Sequence, residues 1–221
     1  MKYGSVVFDM DGVLLDFEGD GFKWKYDAVR KVLEDHGIDT SEMSRDRLNF
    51  FIGDRGVQAC VKACNERDLD ARTVWTEIAE ETSKARAVQI RKGNFSLFPE
   101  VVEILDELDG KVKLGAISNA PETALRETVN FFDLKHYFDF FRGIEDFEDL
   151  SDRKPHPDHL NYARAELKRE PFIYAGDHQT DVEAAINAGM DSVWVNRRNG
   201  SIDTTPDYTV DDLNQMMELI R

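Results

Sequence analysis

Basic residues are scarce in this chain relative to acids: 28 Lys and Arg stand against 44 Asp and Glu, a net charge of -16 over 221 residues. Such a surface repels phosphate backbones and anionic lipid, so neither nucleic acid nor a membrane is expected as a partner. Cysteine is almost missing, with only Cys60 and Cys64. Two thiols four residues apart share one helix face. They are too few for a disulfide framework, and too poor in nearby ligands for a zinc site. Reduced, packed thiols are expected. No apolar run approaches the roughly 20 residues that span a bilayer. The opening MKYGSVVFDMDG enters a strand pattern without the apolar stretch and cleavage site of a secretory leader. A soluble, cytoplasmic protein is expected. The acidic surplus leaves two readings open: a well-hydrated surface, and adaptation to high salt, where cations screen the self-repulsion. The second is slightly favoured.

Hydrophobic residues make up 41% of the chain, enough for a buried core. The length fits one large domain or a domain carrying an insertion. Four short apolar runs end on polar residues. Ser5 to Phe8 runs into Asp9, Val112 to Ile117 into Ser118, Phe172 to Ala175 into Gly176-Asp177, and Ser192 to Val195 stops before Asn196. These runs predict buried parallel strands. Helical patterns lie between and after them, over Pro99 to Leu108, Pro121 to Phe132, Pro157 to Leu167, Asp181 to Ala188 and Asp211 to Ile220. Three open on proline, and Gly189 supplies a stop for the fourth. The alternation implies an α/β fold with a doubly wound parallel sheet of Rossmann-like form, whose ligands sit at the carboxyl ends of the strands. Residues 17–94 break the alternation. They are helix-rich, with periodic apolar positions over Ala28 to His36, Val57 to Cys64 and Thr73 to Ala87. They predict an inserted helical cap, with 1–16 and 95–221 forming the core.

The strand ends carry the chemistry. Asp9 and Asp11 stand two apart in DMDGVL, and Gly12 lets the chain turn tightly behind them. Neighbouring carboxylates cost free energy unless a cation or proton compensates, and Mg²⁺ suits their hard oxygens. One carboxylate can attack phosphorus, while the other donates a proton and later removes one from water. An acidic turn without chemistry would look the same in isolation. Ser118-Asn119 alone reads as a helix cap, Lys154 in KPHP as a surface lysine, and Asp181 in GDHQTD as a helix N-terminal acid.

In this order, the four segments resemble the four motifs of the haloacid dehalogenase-like hydrolases, from Tyr3 to about Asn196. The resemblance implies a phosphatase with a first-type helical cap, acting on a small phosphorylated metabolite. It implies Asp9 as nucleophile, Asp11 as general acid and base, and Ser118, Asn119 and Lys154 on the phosphoryl oxygens. Mg²⁺ would be held by Asp9, the backbone carbonyl of Asp11, and Asp177, with Asp181 acting through water or orienting the site. Arg55, in the cap segment Phe51 to Gly56, and His178 are candidate substrate contacts; His156 is ambiguous in the same way. Two rivals stay open: a phosphosugar mutase of the β-phosphoglucomutase type, and a non-catalytic module on the same fold. A true haloacid dehalogenase fits worse, since its pattern lacks the second acid that stands here as Asp11. Substrate and oligomeric state are left open by the sequence.

Overall fold

The computed structural model describes residues 1–19 and 21–221. In chain order its elements are β1 (Ser5–Phe8), β2 (Leu15–Phe17), α1 (Lys23–Asp35), α2 (Arg45–Ile52), α3 (Val57–Asn65), α4 (Ala71–Arg91), β3 (Phe95–Leu97), α5 (Val101–Leu108) and β4 (Lys113–Pro121). They continue with α6 (Glu122–Phe131), β5 (Phe140–Ile144), α7 (Asp158–Leu167), β6 (Phe172–Gly176), α8 (Gln179–Ala188), β7 (Asp191–Val195), β8 (Tyr208–Val210) and α9 (Leu213–Ile220).

The six longer-range strands form one parallel sheet in the order β5-β4-β1-β6-β7-β8. This is the α/β architecture expected from the alternating pattern. Every residue of β1 is buried, which is why it reads as a continuous apolar run. Its side chains nevertheless divide between two cores: Val6 and Phe8 pack with α5, α6 and α9 on one face, and Val7 packs with α7 and α8 on the other. Burying each such Val or Phe contributes about 1.5–3 kcal/mol. The sheet therefore fixes β1 from both sides, and with it the position of the residues that follow Phe8.

Residues between β2 and β3 form a helical layer with its own core, in which Val29, Val32 and Leu33 of α1 meet Leu48, Phe51, Val74 and Ile78. Their spacing in α1 places them on one stripe. Cys60 and Cys64 are buried free thiols in this cluster. The sequence pattern did not show α2. Only Leu48 and Phe51 are buried in it, and its start is set by a cap, the Ser44 side chain accepting from the Arg47 N–H at 3.3 Å. Phe51 and Ile52, at the start of the segment singled out around Arg55, close this helix, and Gly53 ends it in the left-handed region at φ 83°. β2 and β3 pair antiparallel, Leu15 with Leu97 and Phe17 with Phe95, where the layer leaves and rejoins the sheet. At three residues each they are too short to produce a period.

Candidate active site

β1 lies between β4 and β6, with Phe8 in register with Ala116 and Ala175. The residues just beyond these partners meet at one edge: Asp9 after β1, Ser118 and Asn119 on β4, and Asp177 after β6. β1 is also where the connections turn to opposite sides of the sheet, the usual place for a ligand in a doubly wound fold. Lys154 reaches the same point from the turn before α7.

Burial and charge decide what this cluster is. Asp9 is 8% exposed and Lys154 5%. The Lys154 Nζ lies 2.7 Å from Asp9 Oδ1, 2.5 Å from Asp181 Oδ1 and 2.8 Å from the Tyr174 hydroxyl. An ammonium has three protons, and each has a partner here. Burial alone would lower the Lys154 pKa, but Asp181 and Asp9 outweigh it and raise it. Asp9 is displaced the other way for a carboxylate: burial pushes its pKa well up, Lys154 opposes, and Asp181 and Asp177 add to the rise. Tyr174 was not singled out from the sequence, where it is one more residue in an apolar run. It is buried beneath the cluster and donates to Asp181 Oδ1 at 3.0 Å. Asp181 also accepts from the His178 N–H at 2.9 Å, so it caps α8 while facing the ammonium.

Ser118 and Asn119 are present but already engaged. The Ser118 hydroxyl accepts from the Ala120 N–H at 3.1 Å. The Asn119 amide clasps the Lys154 main chain from both sides, its Oδ1 accepting from the Lys154 N–H at 2.9 Å and its Nδ2 donating to the Lys154 carbonyl at 3.1 Å. This ties the β4 end to the turn that carries Lys154.

The donor set fits a divalent cation. Asp9, Asp177 and Asp181 each bring a carboxylate oxygen, all within 4.8 Å of one another. One ammonium leaves negative charge uncompensated among them. Asp177 opens on the cleft, yet the atoms packed around it, and then Asp181, push its pKa up to about 6. A cation would relieve both acids, and all-oxygen ligands suit Mg²⁺. Gly12 permits the arrangement: at φ +81° a Cβ there would lie 2.1 Å from Asp177 Oδ2. Gly176 does the same for α8, since its Cβ would lie 2.1 Å from that of Asp181.

A pH dependence follows. Below about pH 6, Asp177 carries a proton in the metal-free protein, and an incoming ion must displace it. Apparent Mg²⁺ affinity is therefore expected to fall by at least roughly tenfold between pH 7 and pH 5, since Asp9, also raised, must shed a proton as well. Calorimetric titration at the two pH values checks this; equal affinities would contradict it.

A chamber of about 1210 Å³ lies between the helical layer and the sheet edge, lined by Asp9, Asp11, Ser118 and Lys154 on one side and by Trp24 and Arg55 on the other. Arg55 pairs with Asp46 at 3.3 Å. His178 is the N-cap of α8, its Nδ1 accepting from the Thr180 N–H at 3.3 Å, and it also reaches the chamber wall, as does His156. Asp11 faces a partner that sequence reasoning missed. Arg86 of α4 grips its carboxylate with both terminal nitrogens, at 2.6 and 2.8 Å.

The haloacid dehalogenase-like hydrolase family matches residues 6–195. The chain belongs to that family. The resemblance drawn from the four motifs is thereby borne out, and the chain is an enzyme with phosphatases among its curated relatives. A phosphoglycolate phosphatase of Photorhabdus laumondii is 29% identical over 198 residues, covering 86% of this chain and 78% of the relative. A phosphorylated carbohydrates phosphatase of Thermotoga maritima is 28% identical over 198 residues, covering 86% and 83%. Among solved structures, a HAD phosphatase from Thermococcus onnurineus superposes with a TM-score of 0.66 at 24% identity, covering 97% of this chain and 96% of that one. A HAD hydrolase of Bacillus subtilis, described as bound to magnesium, gives 0.63 at 16% identity, with both chains fully covered. The two structures share the fold.

Proposed function

We propose that this enzyme hydrolyses phosphoric monoesters of small metabolites through an aspartyl-phosphate on Asp9, with Mg²⁺ as cofactor. The observation that carries the reading is the buried Asp9 carboxylate, 2.7 Å from Lys154 and beside Asp177 and Asp181 at the open end of the sheet. The first step forms a P–O bond to an Asp9 oxygen as the ester P–O bond breaks, and Asp11 gives its proton to the departing alkoxide. In the second, the Asp11 carboxylate takes a proton from water, the water oxygen attacks phosphorus, and the bond to Asp9 breaks to release inorganic phosphate. The Ser118 hydroxyl, whose own proton is unspent, holds a phosphoryl oxygen, Lys154 sets its positive charge against the phosphoryl group beside Asp9, and Asn119 contributes by fixing the Lys154 turn. Asp9, the Asp11 carbonyl and Asp177 would hold Mg²⁺, with Asp181 orienting the site, and the ion would supply positive charge against the phosphoryl group.

In this reading residues 17–94 act as the cap, closing over the leaving group and excluding water. Asp54 of the helical layer bonds Arg153, next to Lys154, at 2.7 Å, a contact between cap and core, while Lys25 approaches it at 3.4 Å from within the layer. The relatives' names make phosphoglycolate and sugar phosphates the first substrates to assay. A panel of these with nucleoside monophosphates and p-nitrophenyl phosphate, scored for released phosphate and for isomerised sugar phosphate, tests the proposal. Phosphate release from at least one ester supports it. Isomerisation without release would replace it with a mutase, and silence throughout would refute it.

The acidic surface carries a separate expectation, a soluble cytoplasmic protein adapted to high salt. Among the described residues no helix is long and apolar enough to cross a membrane. The thermal midpoint and turnover are expected to rise from dilute buffer to molar KCl as self-repulsion is screened. Equal stability and activity in both would remove the salt adaptation.

A further inference from the structure

We propose that Arg86 is a positioning residue, holding the Asp11 carboxylate in its working orientation from the cap side. The inference rests on the proposed role of Asp11 in proton transfer.

An arginine in a long amphipathic helix ordinarily extends into solvent. Arg86 is 6% exposed. Taking a guanidinium out of water is costly unless its protons find partners, and here they do. Nη1 donates to Asp11 Oδ2 at 2.8 Å, Nη2 to Asp11 Oδ1 at 2.6 Å, and Nε to the Thr128 hydroxyl of α6 at 3.1 Å. Its guanidinium carbon Cζ lies over the Phe95 ring of β3, 4.4 Å from the ring centre. Thr128 is itself fixed, donating to the Ala124 carbonyl at 2.7 Å. Three separate elements thus converge on one side chain of α4: the turn after β1, β3 and α6.

The consequence falls on Asp11. A lone aspartate at a cleft rim rotates about two side-chain bonds. A parallel two-point contact with a planar fork fixes the carboxylate plane as well as its position. Each carboxylate oxygen uses one lone pair on Arg86 and keeps another. Asp11 lines the chamber, so a carboxylate that takes a proton from the attacking water is held ready without blocking it. Orientation of this kind raises the rate of a proton transfer without adding affinity for substrate. Because Arg86 belongs to α4 and Asp11 to the sheet edge, the same contact makes the proton-transfer group answer to the position of the helical layer.

The test is a variant series assayed on the best ester of the panel. Arg86→Lys keeps the charge and loses the fork; Arg86→Met loses both; Thr128→Val removes the Nε anchor without touching Asp11. Turnover is expected to fall by about 3-fold for Thr128→Val, about 10-fold for Arg86→Lys and about 100-fold for Arg86→Met, with KM changing less than about 3-fold throughout. The decisive variant is Asp11→Asn combined with Arg86→Met. If Arg86 acts through Asp11, the pair is no slower than Asp11→Asn alone. Additive losses would overturn the inference, and so would wild-type turnover in Arg86→Lys, which also decides the matter should Arg86→Met fail to fold. An active wild type with unaffected variants would remove this inference and leave the proposed function standing. A wild type silent on the whole panel would remove both.

Discussion

Asp9→Asn is expected to lower turnover by on the order of 10⁴-fold or more while leaving the metal-free protein at least as stable as the wild type. The activity loss follows from the role: an amide does not form the acyl phosphate. The stability gain follows from the sign of the pKa shift. Asp9 is raised well above an ordinary carboxylate because burial, Asp181 and Asp177 together outweigh Lys154. A carboxylate raised on folding destabilises the folded chain at every pH above the ordinary value, fully so once pH exceeds the folded one. Asparagine keeps the size and an acceptor for Lys154 without the charge. Lys154 retains Asp181 at 2.5 Å, so it is not stranded. At pH 7.5 with chelator present, the thermal midpoint of Asp9→Asn is expected to rise by at least about 2 °C, which for a chain of this size is ~1 kcal/mol. Normal turnover by this variant would contradict the assignment; a lower midpoint would contradict the charge argument.

Metal removal is the second large effect. Chelation is expected to lower turnover by about 10³-fold, and Mg²⁺ to restore it. The physical ground is the imbalance at the sheet edge, where Asp9, Asp177 and Asp181 crowd within 4.8 Å against the single ammonium of Lys154. The readout need not be catalytic. Mg²⁺ at 100 times its Kd should stabilise the fold by about 2.7 kcal/mol, a rise of roughly 5–10 °C in the midpoint. Asp177→Asn should lose most of that rise. Turnover that survives thorough chelation, together with a midpoint indifferent to Mg²⁺, would exclude the ion.

The part of this site visible in the sequence was the part written in consecutive residues. Asp9 and Asp11 follow an apolar run and precede a glycine; Asp177 likewise follows an apolar run, directly after Gly176 at the end of β6. The apolar runs before them placed these acids at one edge of a parallel sheet, and the structure brings them there. Lys154 carried little signal alone and gained it from its order among the other three segments. What was not legible depends on pairing across distance. Arg86 lies 75 residues from Asp11, in a helix whose other charged residues face water, and nothing local distinguishes it. Tyr174 looked like filler in a hydrophobic strand because its hydroxyl matters only once Lys154 and Asp181 are folded over it. Asn119 was expected on the phosphoryl group, and its amide spends both ends on the Lys154 backbone. The elements that escaped notice, α2, β2, β3, β5 and β8, share a cause: each is short or at an edge, so few of its residues are buried and periodicity has little to act on.

Identifying the phosphorylated residue tests the central claim most directly. The enzyme is mixed with labelled ester and Mg²⁺, quenched in acid within one turnover, digested, and mapped by mass spectrometry. An acid-stable, hydroxylamine-sensitive phosphoryl group on the peptide containing Asp9, missing in Asp9→Asn, is the expected result. Label on any other residue in an active enzyme would show that the carboxylate after β1 is not where the phosphoryl group goes.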